Sequence, residues 1–189
     1  MQPVFFKRAA FVGVALMIPF LGRSDETQPT AEQLCEAWFG TSVLRVTPMT
    51  LAETNAIVSR VETGGQTLGW VFRTDQVPPV CKGKRGEISV LVGLGADGCI
   101  KGLRVLAHKE DNRYFKRLSD AFFRQFVNLR AGSDDADIDA VTRATFSSRA
   151  IIRDVTEGAK HVIALPEVAA QTKHSEDCPL TKTAAMSHN

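Results

Sequence analysis

The chain is poor in the features that announce common chemistries. No lysine- or arginine-rich face with interleaved aromatics occurs, and the formal net charge is only +2. Nucleic-acid binding therefore has little support. The nucleophile-elbow pattern G-x-S-x-G, the zinc-protease pattern H-E-x-x-H and the phosphate loop G-x-x-x-x-G-K-[ST] are missing. Four cysteines, Cys35, Cys81, Cys99 and Cys178, show no C-x-x-C spacing, which removes haem-attachment, zinc-ribbon and thioredoxin-type motifs. His161, His174 and His188 have no metal-ligand spacing. No internal repeat is visible. An ordinary apolar fraction of 44% in 189 residues leaves room for one domain with a sizeable core and short appendages.

At the N-terminus, Lys7 and Arg8 precede the uncharged apolar run AAFVGVALMIPFLG. That is the layout of an export signal, and the run is shorter than the roughly 20 residues of a spanning helix. Residues 1–24 are therefore expected to be an export signal or a retained membrane anchor, with the rest of the chain outside the cytoplasm. In an oxidising compartment four cysteines permit three disulfide pairings. Cys81 with Cys99, which flank one strand, is one candidate; unpaired packing cysteines are the alternative.

Residues 25–64 read as a helical N-terminal extension. Thr30 caps AEQLCEAWF with Gln33 as its capping-box partner, and Gly40 stops the helix. SVLRVT alternates as a strand does, whereas LAETNAIVSRV spaces its apolar residues at helical intervals. A β-rich centre follows. TLGWVFRT is a strand, VPPVCKGKRG a connection, and GEISVLVGL places Ile88, Val90, Val92 and Leu94 on one face. Asp97-Gly98 supplies the turn into CIKGLRVLAH, making a hairpin. NRYFKRLSDAFFRQFVNL then predicts one helix with a core stripe of Phe115, Leu118, Phe122, Phe126 and Leu129. On this reading Glu110, Asp111 and Asp120, beside Arg113, Lys116 and Arg117, form a solvated face. A last helix, SSRAIIRDVTEGAKHVIAL, aligns Ile152, Val155, Ala159 and Val162 and ends at Pro166. The polar tail 167–189 reads as disordered. The expected fold is α+β: a single domain with a small antiparallel sheet centred on the hairpin and helices packed against it.

The hydroxyls of DAVTRATFSSRAI, residues 139–151, gather just ahead of that last helix. Ser147 and Ser148 suit helix capping. They also stand where a helix start favours a phosphate, with Arg143 and Arg149 adding positive charge.

D-A-V-T-R-A-T, Asp139 to Thr145, resembles the motif D-x-x-[S/T]-G-A-T of the FMN-binding domain family. That family includes small flavin-carrying subunits of Rnf and Na⁺-pumping NADH:quinone reductase complexes and the extracytoplasmic domain of NosR. GEISVLVGLGADGCIKGLRVLAHKED resembles the family's hairpin, and LGWVFRTDQV and FFRQF resemble flanking blocks in the same order. The similarity covers residues 65–166 as a domain, most closely 65–163. It implies that a flavin transferase, using FAD and Mg²⁺, places FMN on Thr145 through a phosphoester. It further implies that Asp139 is the motif's leading acid, that the Thr142 hydroxyl meets the phosphate, and that Ala144 leaves room for the cofactor. No catalytic residue and no metal site is implied.

Two departures stand out. Arg143 occupies the family's glycine, where it either blocks modification or pairs with the phosphate. The glycine-rich loop that many relatives carry after the histidine is KEDNRYFKRL here. It retains Glu110 and offers Tyr114 as a residue able to stack on a flavin, while Phe115 reads as core. His108, at a strand end, is a lesser candidate for a flavin hydrogen bond. The function implied is an extracytoplasmic electron carrier that relays electrons to or from a membrane-bound redox partner, rather than a stand-alone enzyme. The alternative is a cofactor-free interaction module of the same fold.

Overall fold

The computed structural model describes residues 29–42, 44–50, 56–132 and 138–172. The proposed export segment, and the part of the tail after residue 172, lie outside the described residues. Thr30 begins helix α1 (Ala31–Phe39) with the capping box its sequence predicts: its side chain accepts from the Gln33 N–H, and Gln33 Oε1 accepts from the Thr30 N–H at 2.8 Å. Gly40 ends the helix at φ 70°, a conformation that costs glycine nothing.

Among the described residues five strands follow in a simple meander: β1 (Arg45–Thr50), β2 (Ile57–Thr63), β3 (Gln66–Arg73), β4 (Ile88–Gly95) and β5 (Ile100–His108). All neighbours are antiparallel and the spatial order equals the chain order. The hairpin β4–β5 pairs Val92 with Leu103 and Gly93 with Gly102. Short helices α2 (Asn112–Phe115) and α3 (Asp120–Arg124) come next, then the long α4 (Thr145–Ile163) and the short α5 (Pro166–Ala169). The fold is α+β in one domain.

Both faces of the sheet are covered, which explains why β4 is buried at every position. On one face Trp70, Phe72, Val90, Val92, Leu94 and Ile100 pack with Ile151, Val155, Ala159 and Val162 of α4. Each large apolar side chain so buried contributes roughly 1.5–3 kcal/mol. On the other face Val61, Val71 and Leu91 meet Cys35, with Trp38 and Phe39 of α1 alongside. Gly93 and Gly102, paired across β4 and β5, make the flat floor on which the Trp38 ring rests; a Cβ on Gly93 would lie 2.7 Å from that ring.

Several expectations are corrected. The stretch spaced like a helix, as far as the structure describes it, is strand β2; residues 51–55 lie outside the described residues. Val58 and Val61, three apart, point to opposite faces of a strand, and each face has its own cover. Period-three burial on a two-sided strand thus imitates a helix. The described residues of 25–64 contribute helix α1 and strands β1 and β2 of the main sheet, so that region is not helical throughout. The helix expected over 112–129 is two short ones. Ser119 interrupts it with extended backbone at ψ 171°, although Leu118, Phe122, Phe126 and Leu129 do reach the core. In α4 it is Ile151, not Ile152, that is fully buried with Val155, Ala159 and Val162; Ile152 lies at the margin.

The described part of the tail, to Thr172, packs against the domain. Val168 is fully buried, and Gln171 Oε1 accepts from the Thr67 hydroxyl at 2.9 Å. Cys99 is disulfide-bonded, whereas Cys35 and Cys81 are free thiols. The Cys81–Cys99 pairing is therefore excluded: the two cysteines sit at opposite ends of β4. Gly93, Gly95 and Gly98 happen to be spaced as G-x-G-x-x-G. They straddle an antiparallel turn, not a strand-to-helix junction, so the spacing lacks the context of a dinucleotide site.

Candidate functional site

Three segments converge beside the start of α4. The first is the loop between β3 and β4, folded back by a bridge between Lys82 and Glu87 and by the Gly83 N–H donating to the Gly86 carbonyl at 2.8 Å. The second is the end of β5 running into α2. The third is the turn 141–144, closed by the Ala144 N–H to the Val141 carbonyl at 3.0 Å. Between them lies a pocket of about 460 Å³, walled by Lys84 and Arg85, Glu110, Tyr114, and the run Arg143 to Ser147.

Glu110 ties the three segments together. It is buried, and its carboxylate accepts from the Arg85 N–H at 2.7 Å, the Lys84 N–H at 3.1 Å and the Ser147 hydroxyl at 2.5 Å. Burial alone would raise its pKa. The Ser147 hydroxyl and the backbone N–H groups of Arg85, Lys84 and Gly86 outweigh that, and the carboxyl titrates below its ordinary value. Glu110 is thus not part of a solvated face, as its charged neighbours had suggested. Asp111 caps α2 through the Arg113 N–H at 2.9 Å and lies 3.7 Å from the Arg85 guanidinium.

Helix α4 begins without help from a capping side chain. Its N-cap is Ala144, which offers none. The start of the helix, with the positive end of its dipole, lies at the pocket wall formed by residues 143–147. Thr145 is the first helical residue and is half-buried on that wall; its Oγ1 donates to the Val141 carbonyl over a long 3.4 Å. Next to it, Phe146 is 70% exposed, an aromatic ring left in solvent beside a hydroxyl. Tyr114 stands on the opposite wall with the Arg113 guanidinium 6.0 Å from its ring centre.

Arg143 has φ 67°. It occupies the third position of the 141–144 turn, where a left-handed conformation favours glycine. For a residue with a Cβ this costs about 1–2 kcal/mol. The physical reason for a glycine at this place in the motif is therefore visible in the backbone, and arginine adopts the same conformation under strain.

The remaining predicted residues divide. Arg143, Ala144, Thr145 and Ser147 share the pocket wall; Thr142, Asp139 and Ser148 do not line it. Thr142 is exposed on the turn, and Asp139 is exposed with its N–H donating to Gln125 Oε1 at 3.0 Å. Ser147 and Ser148 are not caps. Helix α4 starts two residues before Ser147 and both serines are buried in its first turn. Ser148 Oγ accepts from the Val141 N–H at 3.1 Å and donates to the Thr145 carbonyl at 3.2 Å, holding the turn against the helix. His108 stacks on Phe115 with ring centres 3.6 Å apart and is not on the Thr145 pocket.

Sequence reasoning missed Lys84, Arg85 and Phe146. The loop had read only as a connection, and Phe146 had one available signal: it falls off the buried stripe of α4. A larger cavity of about 670 Å³ lies beyond Lys84 and Arg85, but no residue of 139–151 lines it. The smaller pocket is where the hydroxyl, the open helix start and the aromatics coincide.

Residues 83–160 match the family described as the FMN-binding domain. The similarity to that family covers less than half of the chain. The matched stretch runs from the loop that Glu110 holds, through β4 and β5, to the last turn of α4, and it contains the whole pocket. Over 93 residues the chain is also 34% identical to a subunit of the ion-translocating oxidoreductase complex of Vibrio atlanticus (strain LGP32). That match covers 42% of this chain and 44% of the relative, so the chain spans less than half of that relative's length.

The pocket suits the cofactor that the family name states. Its volume lies within the range of small-molecule sites. An uncapped helix start favours a phosphate, Tyr114 and Phe146 offer ring faces, and the Glu110 charge is already engaged by donors.

Proposed function

We propose that the chain is an electron carrier whose FMN is attached by a phosphoester to Thr145. The carrying observation is the position of one hydroxyl. Thr145 Oγ1 sits half-exposed at the uncapped start of α4, on the wall of a 460 Å³ pocket, within the stretch that matches the FMN-binding domain.

In attachment, Thr145 Oγ1 bonds to the flavin-side phosphorus of FAD and loses its proton, and AMP departs with the bridging oxygen. A separate flavin transferase with Mg²⁺ supplies that step. The uncapped first turn of α4 would hold the phosphate, and Tyr114 and Phe146 would offer aromatic surface to the ring system. The FMN supplies the electron chemistry; the protein holds and orients it.

The likeness to a component of an ion-translocating oxidoreductase complex supports a membrane-bound electron-transfer partner. The apolar N-terminal run after Lys7 and Arg8 supports export, with the domain on the extracytoplasmic face and membrane association through the N-terminus. A covalent bond then serves a clear purpose, because it prevents loss of the flavin by diffusion.

A second reading, a cofactor-free module, is favoured by Arg143 standing in the glycine's place. Coexpression with a flavin transferase separates the two. The carrier reading expects a yellow chain whose colour stays with the polypeptide after denaturation in guanidinium, is lost in Thr145→Ala, and persists in Thr142→Ala. Colourless wild-type chain beside an active transferase supports the module.

A further inference from the structure

We propose that Arg143 sets the reduction potential of the flavin carried on Thr145; this rests on the function proposed above. Three observations lead there. Arg143 lies two residues before Thr145 and lines the same pocket. Its backbone is held at φ 67° by the turn that the Ala144 N–H and Val141 carbonyl close, so the point at which its side chain leaves the backbone is fixed. Its guanidinium has no ion-pair partner among the described residues.

The other charges around the pocket are engaged differently. Arg85 lies near Asp111 at 3.7 Å. The Glu110 carboxylate is tied to Ser147 and to the loop N–H groups. Lys84 lines the pocket too, but from the opposing 82–87 loop. Arg143 is the cation built into the attachment turn itself.

Reduction changes the charge at this place. On taking two electrons and one proton the isoalloxazine becomes an anion; the electrons come from the redox partner, or from dithionite in a titration. A cation on the same turn, even one as exposed as Arg143, stabilises that anion relative to the neutral oxidised ring, and the effect is weakened by salt. Arg143 thereby makes the flavin easier to reduce than it would be with a neutral residue in the turn.

The test uses the full chain coexpressed with a flavin transferase, as wild type, Arg143→Gln and Arg143→Lys. Intact mass first establishes one FMN on each, and spectroelectrochemical titration with dithionite then gives the midpoint potentials at low and high salt. Arg143→Gln is expected to be about tenfold harder to reduce, a shift of about 30 mV to more negative values for a two-electron couple. Arg143→Lys is expected to recover most of the difference, and added salt to narrow it. Equal potentials in loaded wild type and Arg143→Gln overturn the proposal. So does a wild type that stays unmodified while Arg143→Gly is flavinylated, since Arg143 then acts as a block. Absence of FMN from every variant, including Arg143→Gly, defeats the carrier reading itself, an outcome separate from a null shift in loaded protein.

Discussion

The Ser147 hydroxyl donates to Glu110 Oε2 at 2.5 Å across a sequence separation of 37 residues. Through that contact the first turn of α4 is joined to a carboxylate that also holds the backbone of Lys84 and Arg85. The pocket is therefore not a gap between independent loops. Its three walls are fixed to one another by one side chain.

Replacing Glu110 by alanine leaves a hydroxyl and two backbone donors without their acceptor. Of these the Ser147 hydroxyl is buried, and an unpaired buried donor costs about 1–3 kcal/mol, so urea unfolding of Glu110→Ala should show a stability lower by about that amount. The pH dependence has a definite sign. Because the folded pKa is depressed, the stabilisation is fully present above the ordinary glutamate range and is lost as pH falls through the folded value. Wild type should thus lose this increment in acid, and Glu110→Gln should not show that loss. A variant as stable as wild type at pH 7 would remove Glu110 from its role as the tie.

Asp154 should behave in the opposite way. It is 1% exposed, and its Oδ1 accepts from the Cys81 N–H at 2.7 Å. Burial pushes its carboxyl up to about 6, against the hydrogen bonds from Cys81 and the charge of Arg153. The folded state therefore holds this proton more tightly than the unfolded state does. The contribution to stability is greatest below the ordinary aspartate range, declines as pH rises toward about 6, and is absent above it. Unfolding of Asp154→Asn across pH 4 to 8 should lack this decline. A wild-type curve with the same slope as Asp154→Asn over that interval would show that Asp154 ionises freely in the fold.

Trp38 and Gly102 make a second testable contact. A Cβ on Gly102 would collide with the Trp38 indole ring, and α1 covers that sheet face through Trp38 and Phe39. Gly102→Ala should displace α1, cost about 1–3 kcal/mol as overpacking does, and shift tryptophan emission toward that of an exposed indole. Unchanged emission and stability would mean that α1 does not depend on the glycine floor.

Where local chemistry decided the outcome, the sequence was readable. The Thr30–Gln33 capping box, Gly40, the Asp97-Gly98 turn and the alternation of Ile88, Val90, Val92 and Leu94 all act within a few residues, and the structure contains each of them. What stayed hidden depended on partners distant in the chain. Strand β2 looked helical because Val58 and Val61 serve two different cores, and the second core exists only once α1 folds back over the sheet. Glu110 looked solvated because its donors come from residues 84, 85 and 147. The site was partly legible. The stretch around Thr145 stood out through its hydroxyls and its resemblance to a known motif. The strain at Arg143, by contrast, is a property of φ that a residue list does not carry. The serines illustrate the limit: a hydroxyl near a helix start invites a capping role, yet here Ala144 precedes the helix and both serines turn inward.

The decisive measurement is the mass of one tryptic peptide. Cleavage after Arg143 and Arg149 releases Ala144–Arg149, ATFSSR, which contains Thr145 together with Ser147 and Ser148. In the full chain coexpressed with a flavin transferase, this peptide should be heavier by one FMN less one water, with fragmentation placing the addition on Thr145. An unmodified peptide, or an addition placed on either serine, would contradict the account.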